Sequence, residues 1–241
     1  LMYRLGDFFE MFFSDAVVAS RELELTLTGR DCGDDKRAAM CGVPFHKVDL
    51  YIGKLVEKGY RVAVCEQTED PAQAKGLVRR EIVRVVTPGT ITDGSLLRDA
   101  QNNYLAAIFY ADHGSIGLGF ADISTGQISV TVLEGEDLLS RLENELGIYA
   151  PREAILNIDQ SACPEAAEFL TNRFGTLITD HRPDLFDEVG ARMAVSERFP
   201  AESETLTATP AIAAVGALLA YIRETQKCAD SFVRTVQVYT D

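Results

Sequence analysis

Apolar and polar positions divide the chain into two modules. The break falls over Thr87-Pro88-Gly89-Thr90-Ile91-Thr92-Asp93-Gly94-Ser95, followed by a polar stretch as far as Asn103. Pro, Gly, Thr and Asp at that density are turn and linker chemistry. In the first module strands and helices alternate. Tyr3–Phe13 is rich in aromatics and begins extended, Ser14 is placed to cap a helix over about Asp15–Leu23, and Glu24–Thr28 returns as a strand. A charged loop, Gly29–Arg37, comes next. Gly42-Val43-Pro44 turns the chain into a helix near Lys47–Lys58. Its apolar positions Val48, Tyr51, Ile52, Leu55 and Val56 share one face before Gly59 stops it. Tyr60–Glu66 reads as a strand, Asp70-Pro71 opens a short helix that ends at Gly76, and Glu81–Val86 closes the module. These elements predict a small mixed α/β domain over residues 1–88 and a linker over 89–103.

The second module, residues 104–241, has a more telling order. Tyr104–Tyr110, Ile116–Ser124 and Gln127–Leu133 are strands joined by the short turns Asp112-His113-Gly114 and Thr125-Gly126, an antiparallel meander. A helix follows at Asp137–Leu146, with Leu138, Leu139, Leu142 and Leu146 spaced for one buried face. Then come a strand at Glu153–Ile158, a helix at Pro164–Phe174, a strand at Thr176–Thr179 and a long helix at Pro210–Gln226. That order resembles the ribonuclease-H-like fold, and a fold does not fix a function. A two-metal nuclease needs several carboxylates converging at strand ends. Here Tyr104–Tyr110 carries none, Asp112 and Asp159 sit just past strands where turn aspartates are common, and Asp122 is alone in its strand. The module is expected to connect and dock, with no metal and no catalysis.

Composition narrows the classes. With 241 residues, 46% hydrophobic and 25% charged, the chain can bury a real core and is neither disordered nor fibrous. Its most apolar run, Ala211–Ile222, is shorter than the roughly 18 residues a membrane span needs and follows Pro210, so it reads as a core helix. No signal or transit peptide is recognisable, and the opening at Leu1 inside an apolar run is expected of a fragment. Cys32, Cys41, Cys65, Cys163 and Cys228 form no C-x-x-C and stand apart from His46, His113 and His181. They read as reduced core thiols, not as zinc ligands or disulfides. Gly89 and Gly94 make no phosphate loop, because Ser95 stands where a lysine is required.

The net charge of -14 is unevenly spread. Residues 1–100 hold 14 basic and 16 acidic side chains, whereas residues 101–241 hold 9 and 21. The first module is therefore able to meet a phosphate backbone locally, and the second is repelled by one.

The sharpest feature lies near the start. Gly6-Asp7-Phe8-Phe9-Glu10-Met11-Phe12-Phe13 sets four phenylalanines within six residues. In an extended segment Phe9, Met11 and Phe13 share one face, and Phe8, Glu10 and Phe12 the other. The first set fills a core. The second places a carboxylate between aromatics, which is poor core design because a buried unpaired Glu is costly. An extended backbone puts Phe8 and Glu10 roughly 6.6–6.8 Å apart on one side. Two readings stand at this point: a core strand, and a recognition tip whose aromatic wedge and hydrogen-bonding group reach one flat ring together.

These residues carry a resemblance. Tyr3-Arg4-Leu5-Gly6-Asp7-Phe8-Phe9-Glu10-Met11-Phe12 resembles the segment of the MutS family, proteins of DNA mismatch repair, that contains the Phe-x-Glu motif. Cys41-Gly42-Val43-Pro44-Phe45-His46, Val62-Ala63-Val64-Cys65-Glu66-Gln67 and Val83-Arg84-Val85-Val86-Thr87-Pro88-Gly89-Thr90 are similar to further signatures of that family. Phe9 stands where the family more often has Tyr, on the face assigned to packing. The resemblance implies a mismatch-recognition domain followed by a ribonuclease-H-like connector domain. By it, Phe8 enters the minor groove and stacks on a mispaired base, while Glu10 hydrogen-bonds to that base. A wedge between base steps costs a few kcal/mol of unstacking, less where pairing is already lost. Discrimination then rests on deformability more than on base identity. Ionised, Glu10 is repelled by phosphate, which penalises sites that offer it no hydrogen bond.

The same resemblance implies partners beyond this chain: mismatched duplex DNA, a second MutS subunit, and a downstream repair protein docking on the connector. It implies ATP and Mg in an ATPase domain outside the chain, no cofactor inside it, and a bacterial cytoplasmic, nucleoid-associated protein with no membrane contact. Arg30, Lys36 and Arg37 on the charged loop, and Lys75, Arg79 and Arg80, are candidates for phosphate contacts or ordinary solvated surface. Met40 packs beside the wedge or in the core. His46 reads as a structural hydrogen-bonder. A competing reading makes the whole chain a protein-docking adaptor without its own DNA-binding role, and exposure of Phe8 separates the two.

Overall fold

The computed structural model describes residues 1–33, 37–69, 76, 78–91, 102–111, 114–179, 181–227 and 232–240. It divides between Thr87 and Pro88 into two compact units, each built on one six-stranded sheet. The helix expected at Asp70-Pro71, the turn residues Asp112-His113 and most of the linker lie outside the described residues.

In the first unit β1 (Met2–Leu5) and β2 (Phe8–Phe12) form a hairpin in which Leu5 pairs with Phe8. The intervening Gly6-Asp7 is a two-residue loop, and Gly6 takes the φ of +60° that such a loop asks of its first position. Then follow α1 (Phe13–Leu23), β3 (Thr28–Asp31), β4 (Arg37–Pro44), α2 (Val48–Glu57), β5 (Val62–Gln67) and β6 (Arg80–Val86). The strand order is β3-β4-β2-β1-β5-β6, antiparallel except for β1 beside β5. Helix α1 packs on β2 and β4, and α2 on β4 and β5. Phe9, Met11, Cys41, Val43 and Val64 of the sheet and Ala16, Ala19, Ile52 and Leu55 of the helices are all buried.

Three expectations for this unit need correction. Ser14 caps nothing: β2 runs straight into α1, so Phe12 takes the capping position without a side-chain bond. Phe13 is not a core residue. Its φ of +55° breaks the strand alternation, and the ring is 67% exposed. The strand expected over Glu24–Thr28 starts only at Thr28, because Glu24 ends α1 in the left-handed conformation and Leu25–Leu27 form no element. The charged loop instead supplies β3 at one end and leads into β4 at the other. Thr-Gly-Arg-Asp on an edge strand and Ala38, Ala39 and Gly42 in β4 leave little apolar signal to read.

The second unit runs β7 (Tyr104–Tyr110), β8 (Ile116–Asp122), β9 (Gln127–Leu133), α3 (Leu138–Tyr149), β10 (Glu153–Leu156), α4 (Pro164–Phe174), β11 (Leu177–Thr179), α5 (Glu188–Arg198), α6 (Thr209–Gln226) and β12 (Thr235–Val238). Its sheet order is β11-β10-β7-β8-β9-β12. The meander β7–β8–β9 is antiparallel, β10 and β11 run parallel to β7, and β12 runs parallel to β9. This is the ribonuclease-H-like arrangement with one strand added at the β9 edge. The chain is thus mixed α/β, a small sheet-and-helix unit followed by a ribonuclease-H-like one.

Both faces of the second sheet are covered. Leu105, Ala107, Ile128 and Val130 pack with Val195 of α5 and Ala214, Leu218 and Ile222 of α6. Ala106, Ile108, Leu118 and Phe120 pack on the other side with Leu142, Leu146, Ala166 and Leu170 of α3 and α4. Phe120 stacks on Tyr149 with ring centroids 3.8 Å apart. Helix α6 crosses β8 so closely that a Cβ on Gly117 would lie 2.0 Å from the Pro210 carbonyl oxygen. Leu139, expected in the core, is 42% exposed. The buried stripe of α3 is Leu142 and Leu146 with half-buried Leu138, and Leu139 sits about 100° around the helix from Leu138. Helix α5 and strand β12 were not expected from the sequence.

Candidate nucleic-acid interface

The first sheet has an uncovered face, and the register assigns its residues. Across β1–β2, Leu5 lies opposite Phe8 and Tyr3 opposite Glu10. Across β2–β4, Phe8, Glu10 and Phe12 lie opposite Pro44, Gly42 and Met40. Phe8 is 47% exposed, whereas its neighbour Phe9 is 1% exposed. The strand alternation read from the sequence therefore holds for Phe8, Phe9, Glu10, Met11 and Phe12, and Phe8 stands at the hairpin end.

The turn that carries Phe8 is pinned from both sides. Arg4 Nε donates to the Gly6 carbonyl at 2.5 Å, and its guanidinium lies 4.0 Å over the Phe45 ring. Phe45 in turn donates its backbone N–H to the Asp7 carbonyl at 2.9 Å. A two-residue loop held by a side chain and by the next strand's end has little freedom left.

Glu10 is half-buried on the same face. Gly42 opposite leaves it room, since a Cβ there would sit 3.4 Å from Glu10 Cγ. Its carboxylate accepts from Arg30, Nη1 to Oε2 at 2.7 Å. Arg30 thus lies beside the Phe-x-Glu pair. The remaining described arginine candidates are also engaged. Arg37 pairs with Asp31 at 3.1 Å and donates to the Gly29 carbonyl at 2.8 Å. Arg79 pairs with Glu81. Arg80 is half-buried and donates to the Arg4 carbonyl at 3.0 Å and the Val78 carbonyl at 2.9 Å, which makes it a brace of the β1–β5–β6 region. Met40 is half-buried on the uncovered face, opposite Phe12 and Thr28. His46 is exposed and stands edge-on to Phe45, with ring centroids 5.8 Å apart. Lys36 and Lys75 lie outside the described residues.

In the second unit the carboxylates weighed for a nuclease serve local turns. Asp122 Oδ1 accepts from the Ser124 N–H at 2.9 Å and its hydroxyl at 2.6 Å, closing the β8–β9 turn. Asp159 accepts from the Ser161 hydroxyl and N–H, bonds that hold its carboxyl below the usual range. Asp112 lies outside the described residues. Among the described residues no group of three or more His, Cys, Asp or Glu is placed to hold a metal ion. No described helix is long and apolar enough to cross a membrane. Cys41, Cys65 and Cys163 are buried and Cys32 is exposed, all as free thiols, and burial pushes the Cys41 and Cys65 thiols up. Cys228 lies outside the described residues.

Sequence reasoning missed three functional-looking contacts: the Arg4 brace, the Phe45 platform and the Arg30–Glu10 pair. The first was within reach, because Leu5-Gly6-Asp7-Phe8 has the two-residue Gly-Asp spacing of a hairpin. It also missed two buried acids. Glu153 accepts from the Tyr221 hydroxyl at 2.6 Å and the Gly89 N–H at 3.0 Å, and Glu145 accepts from the Tyr239 hydroxyl at 2.5 Å.

Comparison with known proteins places the chain. Residues 1–95 match MutS domain I and residues 103–232 match MutS domain II. The chain is 45% identical over 242 aligned positions to the DNA mismatch repair protein MutS of Ruminiclostridium cellulolyticum, covering 99% of the chain and 27% of that relative. The corresponding protein of Acetivibrio thermocellus is 44% identical over 240 positions, covering 99% of the chain and 28% of the relative. That of Desulforamulus reducens is 44% identical over 250 positions, with 100% and 28% covered. The chain spans about a quarter of the length of these relatives. It belongs to the MutS family.

Proposed function

We propose that the first unit recognises mismatched or unpaired bases in duplex DNA during mismatch repair. Phe8 is the wedge that enters the minor groove and stacks on the displaced base, and Glu10 hydrogen-bonds to that base. One observation carries the reading: an aromatic ring 47% exposed on a doubly pinned turn, with a half-buried carboxylate two residues on and on the same face. A turn held before contact loses little backbone freedom on binding, so more of the ring's stacking energy is left to offset unstacking of the duplex. A matched base pair resists that unstacking and a mispaired one does not. The exposure of Phe8 favours this reading over an adaptor whose first domain keeps that ring packed away. The kinship with proteins named for DNA mismatch repair supports it.

On this proposal Arg30 contacts a phosphate after exchanging its carboxylate partner, and Met40 lines the groove side of the same face, whereas Arg37 pairs with Asp31 on the other side of the sheet. The second unit is a connector on which a downstream repair protein docks. Catalysis, ATP and Mg belong to other parts of a dimeric full-length protein, which works on the nucleoid in the cytoplasm. The test is Phe8→Ala in the full-length protein. Binding to a duplex with one mismatch should fall to near the level of the matched duplex, as read from equilibrium isotherms. A mutant that keeps the wild-type preference for a mismatch would remove Phe8 from the role.

A further inference from the structure

Arg30 and Glu10 form an ion pair across the open face that a simple wedge does not need. Arg30 leaves the edge strand β3 and Glu10 leaves β2, with β4 between them. Their register partners on β4 are Ala38 and Gly42, four positions apart, so the guanidinium reaches diagonally across a whole strand. Small residues stand at both ends of that path. The pair is joined through one N–H, at 2.7 Å, with the Arg30 side chain 51% exposed and that of Glu10 18% exposed. An ion pair this open adds little to the stability of a fold. It is also easily exchanged. A guanidinium has five donors in a planar fork that suits phosphate as well as carboxylate, and one of the five is used on Glu10.

We propose that Glu10 withholds Arg30 from the DNA backbone until Glu10 engages a base. This rests on the reading of Glu10 as the group that bonds the displaced base. When Glu10 turns to a mispaired base, Arg30 is released to a phosphate oxygen, so reading the base and gripping the backbone are one exchange. On a matched duplex Glu10 keeps its partner, and one phosphate contact is forgone. Arg30 is then a specificity-determining residue: the discrimination comes partly from a contact that never touches the base. Each phosphate neutralised on duplex DNA adds about 0.9 to the slope of log affinity against log salt. The exchange is therefore visible as a slope.

The experiment measures affinity of the full-length protein for one duplex, matched and with a single mismatch, over a series of salt concentrations. The wild type should show a mismatched slope steeper than the matched one by about 0.9. Glu10→Gln keeps hydrogen-bonding capacity and drops the charge that holds Arg30, so it should raise the matched slope to the mismatched value and tighten matched binding. Arg30→Ala should make the two slopes equal at the lower value, and adding Glu10→Gln to it should then leave the matched slope where it is. Arg30→Lys keeps a cation at the site and should retain the difference. A slope difference that survives Arg30→Ala overturns the proposal, and so does a matched slope unmoved by Glu10→Gln. Phe8→Ala, run in the same series, separates the two levels. If it abolishes mismatch preference while the Arg30→Ala slopes still differ, the exchange is wrong and the wedge stands. If it leaves mismatch preference intact, the wedge reading falls first.

Discussion

Two sheets of six strands are built for opposite ends. In the second unit β8 is buried at all seven positions, with α5 and α6 on one face and α3 and α4 on the other. In the first unit β2 alternates, its Phe9 and Met11 under α1 and its Phe8, Glu10 and Phe12 open or half-open. A sheet covered twice reads as continuous apolar runs, such as Leu105-Ala106-Ala107-Ile108, and is spent entirely on holding itself together. A sheet covered once keeps a rigid, addressable face. The difference teaches where to look for function: the face that the helices leave bare holds the ring, the carboxylate and the ion pair.

That contrast is easiest to break with one residue type on both sheets. Phe120→Ala, inside the doubly covered sheet and stacked on Tyr149, should cost about 3–5 kcal/mol in denaturant unfolding. Phe8→Ala should cost less than about 1 kcal/mol in the same measurement, although it removes the proposed wedge. Comparable losses for the two would mean that Phe8 belongs to the packing after all. Next in size is Gly117→Ala, where a Cβ meets the Pro210 backbone and forces α6 off β8. It should destabilise by about 1–3 kcal/mol, with faster amide exchange in β8 as the sign that the cover has lifted. A smaller loss, about 1 kcal/mol, is expected for Arg4→Ala, which removes the guanidinium from Phe45 and from the Gly6 carbonyl. Its sharper readout is function: a loosened turn should weaken the preference for a mismatch with little change in matched binding.

The smallest effect is a pH dependence in the cover of the first sheet. Lys58 and Arg21 both donate to Glu22, and these bonds hold its carboxyl below the ordinary 4.5. A depressed acid contributes stability above its unfolded value and loses it as pH falls through the folded one. Unfolding of the wild type should therefore ease as pH drops below about 4.5, and Glu22→Gln should flatten that part of the profile. An identical acid limb in the mutant would take Glu22 out of the account.

Much of this was legible in the chain. The meander, α2 and the alternation at Phe8–Phe12 follow from apolar spacing, α4 from its opening Pro164, and α6 from an apolar run after Pro210. What escaped notice had a local reason. Helix α5 buries Ala191 and Val195 while Val189 and Met193 are 68% exposed, so its apolar residues spread around the axis. β12 buries one residue of four, Val236. The Arg30–Glu10 pair is 20 residues apart in sequence and a strand apart in the sheet. No periodicity predicts it, because it depends on the order in which β3, β4 and β2 assemble. Charge counting missed the partners for a related reason: Arg30, Arg37 and Arg79, candidates for phosphate, are paired in the free chain with Glu10, Asp31 and Glu81.

The strand β12 also imposes a schedule. The first sheet has its last strand at Val86, whereas the second completes its β9 edge only when residues 235–238 arrive, with Gln127 and Gln237 joined across 110 positions of chain. A ribosome adding roughly 5–20 residues per second leaves β9 without that neighbour for roughly 5–20 s after it emerges. A bare strand edge invites pairing with whatever strand is near, including the same segment of another nascent chain. During synthesis, then, the β9 rim of the doubly covered sheet stands open for a time, although that sheet ends up covered on both faces.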